Sequence, residues 1–316
     1  MKAVVINEFG GKEKLSIAEV PTPQPAEDEV LVRIKAAGVN PVDWKIREGW
    51  LKDLLPHEFP IILGWDVAGV VEKTGDRVNR IAKGDHVFAY NRRPIVQQGT
   101  YAEYAAVPEN YITKSPGSLS FEESASIPLA ALTAYQAVYD AVELQAGQSI
   151  LIIGASGGVG GFAVQFAHLI GAKVTAIASE QNHAYLQNLG AEHAICYTKG
   201  DFQEPFQAIC PSGADVVFDL IGGEALKKAG HCVKTGGKIV SITDDPRSHV
   251  PEEKNIQCHF VFVEPKVPQL DHIREMVDAG KLKTHLSAVY SLADVHKAHA
   301  DMETGHTRGK IVLMVA

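Results

Sequence analysis

Ser149-Ile-Leu-Ile-Ile-Gly154-Ala-Ser-Gly157-Gly158-Val159-Gly160-Gly161 sets a short apolar run directly before a cluster of glycines. Phe162-Ala-Val-Gln-Phe166-Ala-His-Leu-Ile170 follows with apolar residues at helical spacing and stops at Gly171. Strand, glycine turn and helix in that order form a cradle for an anion. Glycines permit positive φ and close backbone approach, and the unpaired N–H groups at a helix start face a phosphate. The chemistry on offer is capture of a dinucleotide pyrophosphate, with Ser156, Gly157, Gly158 and Val159 along the cradle. The G-x-G-x-x-G spacing fits in two registers. One uses Ala155, Gly157 and Gly160, with alanine for the first glycine; the other, on Gly158, Gly160 and Ala163, leaves too long a gap after Ile153. The first is preferred. A glycine-rich turn that binds nothing is the plainer alternative, and the strand–helix alternation around the motif argues against it.

That alternation starts at Ser149. Strands are predicted at 149–153, 173–178, 193–196, 215–219, 238–242 and 258–263, with helices at 160–170, 181–189 and about 223–230. Six strands alternating with helices imply a parallel, doubly wound sheet that binds its ligand at the strands' C-terminal ends. The first 120 or so residues read differently. Val30-Leu-Val-Arg-Ile-Lys-Ala alternates, and short apolar runs bounded by turn residues predict an all-β, barrel-like block. Ser120-Phe-Glu-Glu123 offers a capping box that opens a helical region. After Pro265 a helix around Ile273, a strand near 284–290, a helix near 292–302 and a strand at 309–315 make a tail able to return and complete the first domain.

Length and charge bound the function. The chain of 316 residues favours two domains. A formal charge of −8 without a basic cluster argues against nucleic acid as the main partner. No stretch approaches a membrane span, and the apolar run after Met1 is too short for a signal peptide. Cys196, Cys210, Cys232 and Cys258 form no C-x-x-C pair, so neither a zinc motif nor a disulfide framework is expected, and a reduced, cytoplasmic setting fits.

Seven segments carry a resemblance to a known family. They are Ala36-Ala-Gly38-Val-Asn40-Pro-Val-Asp43, Gly64-Trp-Asp66-Val-Ala-Gly69, Gly84-Asp-His-Val87, Gly99-Thr-Tyr-Ala-Glu-Tyr104, Leu132-Thr-Ala-Tyr135, Gly157-Gly-Val-Gly160 and Gly305-His-Thr-Arg308-Gly-Lys-Ile-Val312. In this order the chain resembles the medium-chain dehydrogenase/reductase superfamily, in its zinc-independent quinone oxidoreductase (zeta-crystallin-like) branch. The resemblance implies an α/β chain: a Rossmann doubly wound parallel sheet at 126–265, plus a GroES-like β-barrel catalytic domain made of 1–125 and 266–316. The zinc-binding branch carries a cysteine where Asn40 stands and Gly-His-Glu where this chain has Gly64-Trp65-Asp66. Its third ligand falls here among Pro128-Leu-Ala-Ala-Leu132. Zinc calls for soft or imidazole ligands, and these positions hold an amide, an indole and aliphatic side chains, so no metal is expected.

Without a metal the reaction is constrained. Alkoxide charge from a simple ketone or alcohol calls for a Lewis acid. A quinone or an α,β-unsaturated carbonyl spreads the hydride's charge over a conjugated system, where hydrogen bonding suffices. The expected activity is NADPH-dependent hydride transfer to such an acceptor. Asn40 is the leading catalytic candidate: the resemblance puts it near the nicotinamide, donating to a cofactor ribose or an acceptor oxygen, while an Asn-Pro turn is its structural alternative. Trp44 and Trp65, with Trp50 and Tyr90, offer an aromatic slot for a flat acceptor, with core packing as the alternative for each. A binding protein with little turnover and a reductase of another acceptor, such as an enoyl thioester, are the competing readings.

The cofactor's adenosine end is read after the second Rossmann strand, at Ala178-Ser179-Glu180. Ser179 resembles the family's 2′-phosphate-binding serine, and Tyr197 matches a tyrosine that NADPH-dependent relatives use there. Arg308 and Lys310 are further candidates for that end. Glu180 is the acidic neighbour that leaves NADH as the alternative. The resemblance places Thr133, Leu220, Ile221, Thr243, Phe262 and Val263 at the nicotinamide end, and it implies a homodimer through the last Rossmann strand.

Overall fold

The computed structural model describes residues 1–315. The chain divides into two compact units, Met1–Leu132 with Glu264–Ala316, and Thr133–Val263. The boundary expected at 125/126 therefore moves to 132/133. The cause is visible in the hydrogen bonding of the intervening residues. The Leu129 N–H donates to Asp66 Oδ1 at 2.7 Å and Ser126 Oγ meets Thr284 Oγ1 at 2.5 Å, which ties this stretch to the first unit.

The first unit is built on two sheets. The larger has seven strands, in which the long strand Glu29–Val39 pairs antiparallel with Asp66–Thr74, Tyr104–Pro108 and the C-terminal strand Lys310–Met314. The tail thus returns to the first domain, with Leu286–Ser291 beside Lys310–Met314 in parallel. A second, four-stranded sheet holds the N-terminal strand Lys2–Ile6 between Ser16–Glu19 and His57–Ile62. Val30, Val32 and Ile34 alternate inward with Val67, Val71, Val87 and Ala89, and this period-two apolar face forms the unit's core. The capping box forms as expected: Glu123 N donates to Ser120 Oγ at 3.2 Å and Ser120 N to Glu123 Oε2 at 2.9 Å.

The second unit is the doubly wound sheet. Six strands, Ser149–Ile153, Lys173–Ala178, His193–Cys196, Ala214–Asp219, Val233–Ser241 and Gln257–Phe260, all pair in parallel. Counted along the chain, their spatial order is 3-2-1-4-5-6, so it reverses between Ser149–Ile153 and Ala214–Asp219. That switch point is where such a sheet opens a ligand crevice. The third and fourth strands begin and end within a residue of the predicted limits. The fifth starts earlier, at Val233, because its pairing with Ala214 continues across a bulge.

The glycine turn separates its duties by residue. Gly154 takes φ +80°, the left-handed conformation that ends the strand sharply. A Cβ on Gly160 would lie 2.5 Å from the Gly154 carbonyl oxygen and 2.6 Å from Ala155 Cα, so only glycine lets the helix Gly158–Ile170 pack this close to the strand. The preferred register therefore has its close-packing glycine where expected, while the sharp turn falls one residue before Ala155. Gly160→Ala should destabilise the protein by about 1–3 kcal/mol, because both obstructing atoms are backbone and cannot rotate away. Urea unfolding of the variant against wild type measures this, and an unchanged midpoint would contradict it.

Candidate active site and cofactor cradle

In the first unit, a buried polar cluster surrounds Asn40. Lys310 and Asn40 become neighbours through strand register, since Ile311 stands opposite Val39. The Lys310 ammonium donates to the Val39 carbonyl at 2.9 Å, to Asn40 Oδ1, and to Asp66 Oδ2 at 3.5 Å. Asn40 Nδ2 donates to Asp66 Oδ2 at 2.9 Å. An ammonium only donates and a carboxylate only accepts, so the amide can face one way alone. Its second N–H is left over as a fixed donor.

Asn40 stands at the start of the helix Pro41–Arg47, yet its side chain makes no cap. Asp43 serves the backbone there instead, accepting from Asn40 N–H at 2.7 Å and from Tyr101 Oη–H at 2.8 Å. Asp43 thus holds the loop. Its other oxygen, Oδ1, is buried without a partner. The far end of the same helix is anchored by Arg47, which donates to His299 Nδ1 at 3.0 Å, Glu303 Oε1 at 2.8 Å and the Gly10 carbonyl at 3.1 Å. Asn40, Asp43, Asp66, Arg47 and Lys310 are all buried.

Burial dominates the protonation of this cluster. It pushes the Asp43 carboxyl up to about 7, against the opposing pull of the Asn40 N–H, the Tyr101 hydroxyl and Lys310. It also raises Asp66 and lowers Lys310, while the attraction between those two opposes both shifts. Thr100 Oγ1 donates to the Asp66 backbone carbonyl at 2.9 Å and fixes that residue from the other side.

Several expected site residues stand elsewhere than the sequence suggested. Lys310 is no surface residue for an adenosine phosphate; its ammonium is buried and committed to Asn40, Val39 and Asp66. Arg308, two residues earlier, lies near the surface with Nε 3.1 Å from His285 Nε2. The four aromatic residues do not form one slot. Trp44 meets Trp50 edge-on at 4.8 Å, whereas Trp65 is buried against Tyr90 at 6.0 Å as core packing. Asp66 and Tyr101 were not singled out, and only the pairing of Asp66–Thr74 with Glu29–Val39 reveals Asp66 beside Gly38 and hence near Asn40.

In the second unit the cradle is open. The helix Gly158–Ile170 starts at Gly157, and among the described residues no side chain caps its first N–H groups, which point into the turn. Around Gly157 a Cβ would meet only the Gly154 oxygen, at 3.6 Å, so the cradle leaves room for a phosphate beside it. Ser156, Gly158 and Val159 share that rim at intermediate exposure. These features fit a dinucleotide pyrophosphate. Ala178 pairs with Cys196, so Ser179 and Tyr197 leave adjacent strands side by side. Ser179 Oγ accepts from Asn182 Nδ2 at 3.0 Å, and Tyr197 is exposed. Glu180 is turned to Lys199, 2.7 Å away, in an exposed ion pair. Leu220, Ile221 and Thr243 gather about Asp219 at the strand ends, with Phe262 and Val263 following the last strand and Thr133 buried at the start of the unit.

Comparison with known proteins matches these two layouts. Residues 26–117 match the alcohol dehydrogenase GroES-like domain, and residues 189–313 the zinc-binding dehydrogenase family. A quinone-oxidoreductase homolog of the chloroplast from Spinacia oleracea is 34% identical over 96% of this chain and 95% of its own length. The chain belongs to the medium-chain dehydrogenase/reductase superfamily, in its quinone oxidoreductase branch. An NADPH-dependent alkenal/one oxidoreductase of the chloroplast from Arabidopsis thaliana is 35% identical over 99% of this chain and 79% of its own. The solved quinone oxidoreductase from Coxiella burnetii superposes with a TM-score of 0.90 at 34% identity, covering 100% and 99% of the two chains. One family's name includes zinc, yet among the described residues no group of three or more His, Cys, Asp or Glu side chains could hold a metal ion. Asn40 and Trp65 occupy ligand positions with an amide and an indole, and Asp66 is spent on Asn40, Leu129 and Lys310.

The raised pKa of Asp43 gives a pH signature. The native state holds this proton up to about 7, the unfolded chain only to the ordinary 3.8, so the contribution of this one group to stability is complete below 3.8 and is lost as pH rises through that window. Asp43→Asn keeps the shape without the charge. It should gain roughly 1–3 kcal/mol over wild type on going from pH 5 to pH 8. Urea midpoints at the two pH values measure the difference, and a pH-independent difference would contradict it.

Proposed function

We propose that this chain is an NADPH-dependent oxidoreductase that reduces quinones or α,β-unsaturated carbonyls without a metal. The single observation that carries this is the fixed Asn40 amide. Lys310 and Asp66 lock it in one orientation, so one N–H remains as a preorganised donor where a metal-dependent relative would carry a ligand. NADPH supplies the hydride when bound. Asn40 then donates to the acceptor's carbonyl oxygen or to the cofactor ribose, and a conjugated acceptor needs no stronger electrophile. The uncapped Gly157–Val159 turn binds the pyrophosphate, and the Leu220–Gly222 and Thr243 turns with Phe262 and Val263 hold the nicotinamide end.

NADPH is preferred over NADH. Ser179 and Tyr197 follow paired strand ends and each offers a hydroxyl for a 2′-phosphate, and Lys199 neutralises Glu180, the acidic residue that would otherwise read a ribose hydroxyl. Arg308 is a candidate for the same phosphate. Trp44 with Trp50 offers an apolar edge for a flat acceptor. The strand Gln257–Phe260 ends its sheet with Phe260 exposed, which supports a homodimer through strand pairing. The four cysteines are free thiols, in keeping with a reducing compartment such as the cytoplasm. No helix among the described residues is long and apolar enough to cross a membrane.

A panel of quinones, enones, enoyl thioesters and simple alcohols, followed optically with NADPH and NADH, tests the reading. Quinones or enones with NADPH should turn over fastest. Ser179→Asp should weaken NADPH binding roughly tenfold or more while sparing NADH, because a carboxylate there repels the 2′-phosphate. Tight NADPH binding without turnover on any conjugated acceptor would make the chain a binding protein instead.

A further inference from the structure

Asp219 ends the central strand Ala214–Asp219 and is fully buried. Its carboxylate accepts from Ile221 N–H at 3.3 Å, Gly222 N–H at 3.0 Å, the Ser241 hydroxyl at 2.9 Å and the Thr243 hydroxyl at 3.2 Å. Every one of these donors is neutral, and among the described residues no lysine, arginine or histidine pairs with it. Burial pushes the carboxyl's pKa up, and the four donors pull it back toward the charged form. A buried carboxylate without a counter-cation is costly, and the reaction proposed above gives it no role as acid or base.

Its location suggests one. The sheet order reverses between Ser149–Ile153 and Ala214–Asp219, so Asp219 lies at the floor of the switch-point crevice. The turn it holds reaches across that crevice: Ile221 Cδ1 lies 2.9 Å from where a Cβ on Gly154 would stand. The same carboxylate grips the Thr243 turn after the next strand. Both turns belong to the nicotinamide end in the proposed function, and the inference rests on that reading.

We propose that Asp219 is a positioning residue whose buried charge biases the bound cofactor toward its oxidised form. NADP⁺ and NADPH share their phosphates and riboses and differ by one positive charge on the nicotinamide ring. A fixed negative charge beneath the turn that holds the ring favours the cation, and the low local dielectric magnifies the effect. Tighter relative binding of the oxidised form makes the bound reduced form a stronger hydride donor. A residue that merely braced the two turns would affect both forms alike.

The ratio of dissociation constants for NADP⁺ and NADPH, from titration calorimetry, separates these roles. Asp219→Asn preserves the shape, since its oxygen accepts the two N–H groups and its amide donates to hydroxyls free to rotate. The NADP⁺/NADPH ratio of Kd values should rise about tenfold in this variant. Asp219→Ser, which also removes the charge, should raise the ratio in the same direction. A ratio within about twofold of wild type in a folded variant would overturn the role of Asp219. Should Asp219→Asn fail to fold, Asp219→Ser alone decides. Wild-type protein that binds neither dinucleotide would overturn the proposed function instead, so the two failures are distinct.

Discussion

One ammonium organises the catalytic unit. Lys310 is buried among a backbone carbonyl, an amide oxygen and a carboxylate, and none of the three can be removed without leaving a buried charge unsatisfied. Desolvation works against both Lys310 and Asp66, so the pair stabilises the fold little in net terms. Its value lies in orientation. A donor-only cation on one side and an acceptor-only anion on the other dictate which way the Asn40 amide points. Orientation fixed before substrate arrives is what makes a neutral hydrogen-bond donor useful in catalysis, because no reorganisation remains for the reaction step.

The surrounding fold exists to bring those three residues together. Asn40 directly follows the strand Glu29–Val39, and Asp66 and Lys310 begin the two strands that flank it, contributed by the first and last parts of the chain. The C-terminal tail must return to the first unit for Lys310 to be there at all. Asp43 and Arg47 then secure the two ends of the helix that Asn40 begins. The second unit uses a parallel logic with different chemistry. Helix N–H groups without a side-chain cap face the glycine turn, and a single buried carboxylate, Asp219, knits together the turns at the strand ends.

Local pattern carried most of the architecture into the sequence. Alternating apolar residues, the glycine turn and the Ser120 capping box each depend on neighbours within a few positions, and they located the Rossmann strands and the returning tail. The candidate site was legible only as family motifs that nominate residues, as at Asn40 and Ser179. It was not legible where function depends on register between distant strands. Lys310 reads as a surface charge at the start of a strand, and only the pairing of Ile311 with Val39 buries its ammonium beside Asn40. The aromatic slot failed for the same reason. Trp65, just before the strand Asp66–Thr74, is buried against Tyr90 of the paired strand, while Trp44 and Trp50 pack on one another across a turn. Glu180 reads in the sequence as either a solvent-facing residue or a ribose reader, and only the turn after the next strand, Tyr197–Lys199, sets Lys199 against it.

The central claim is that a fixed amide, held by a buried ammonium, suffices for hydride delivery to a conjugated acceptor. The most direct measurement is a single turnover of chelator-treated protein with an enone and NADPH deuterated at the transferred position. Deuterium should appear on the acceptor's β-carbon at the same rate with and without added zinc. Transfer that begins only when zinc is supplied would contradict the account.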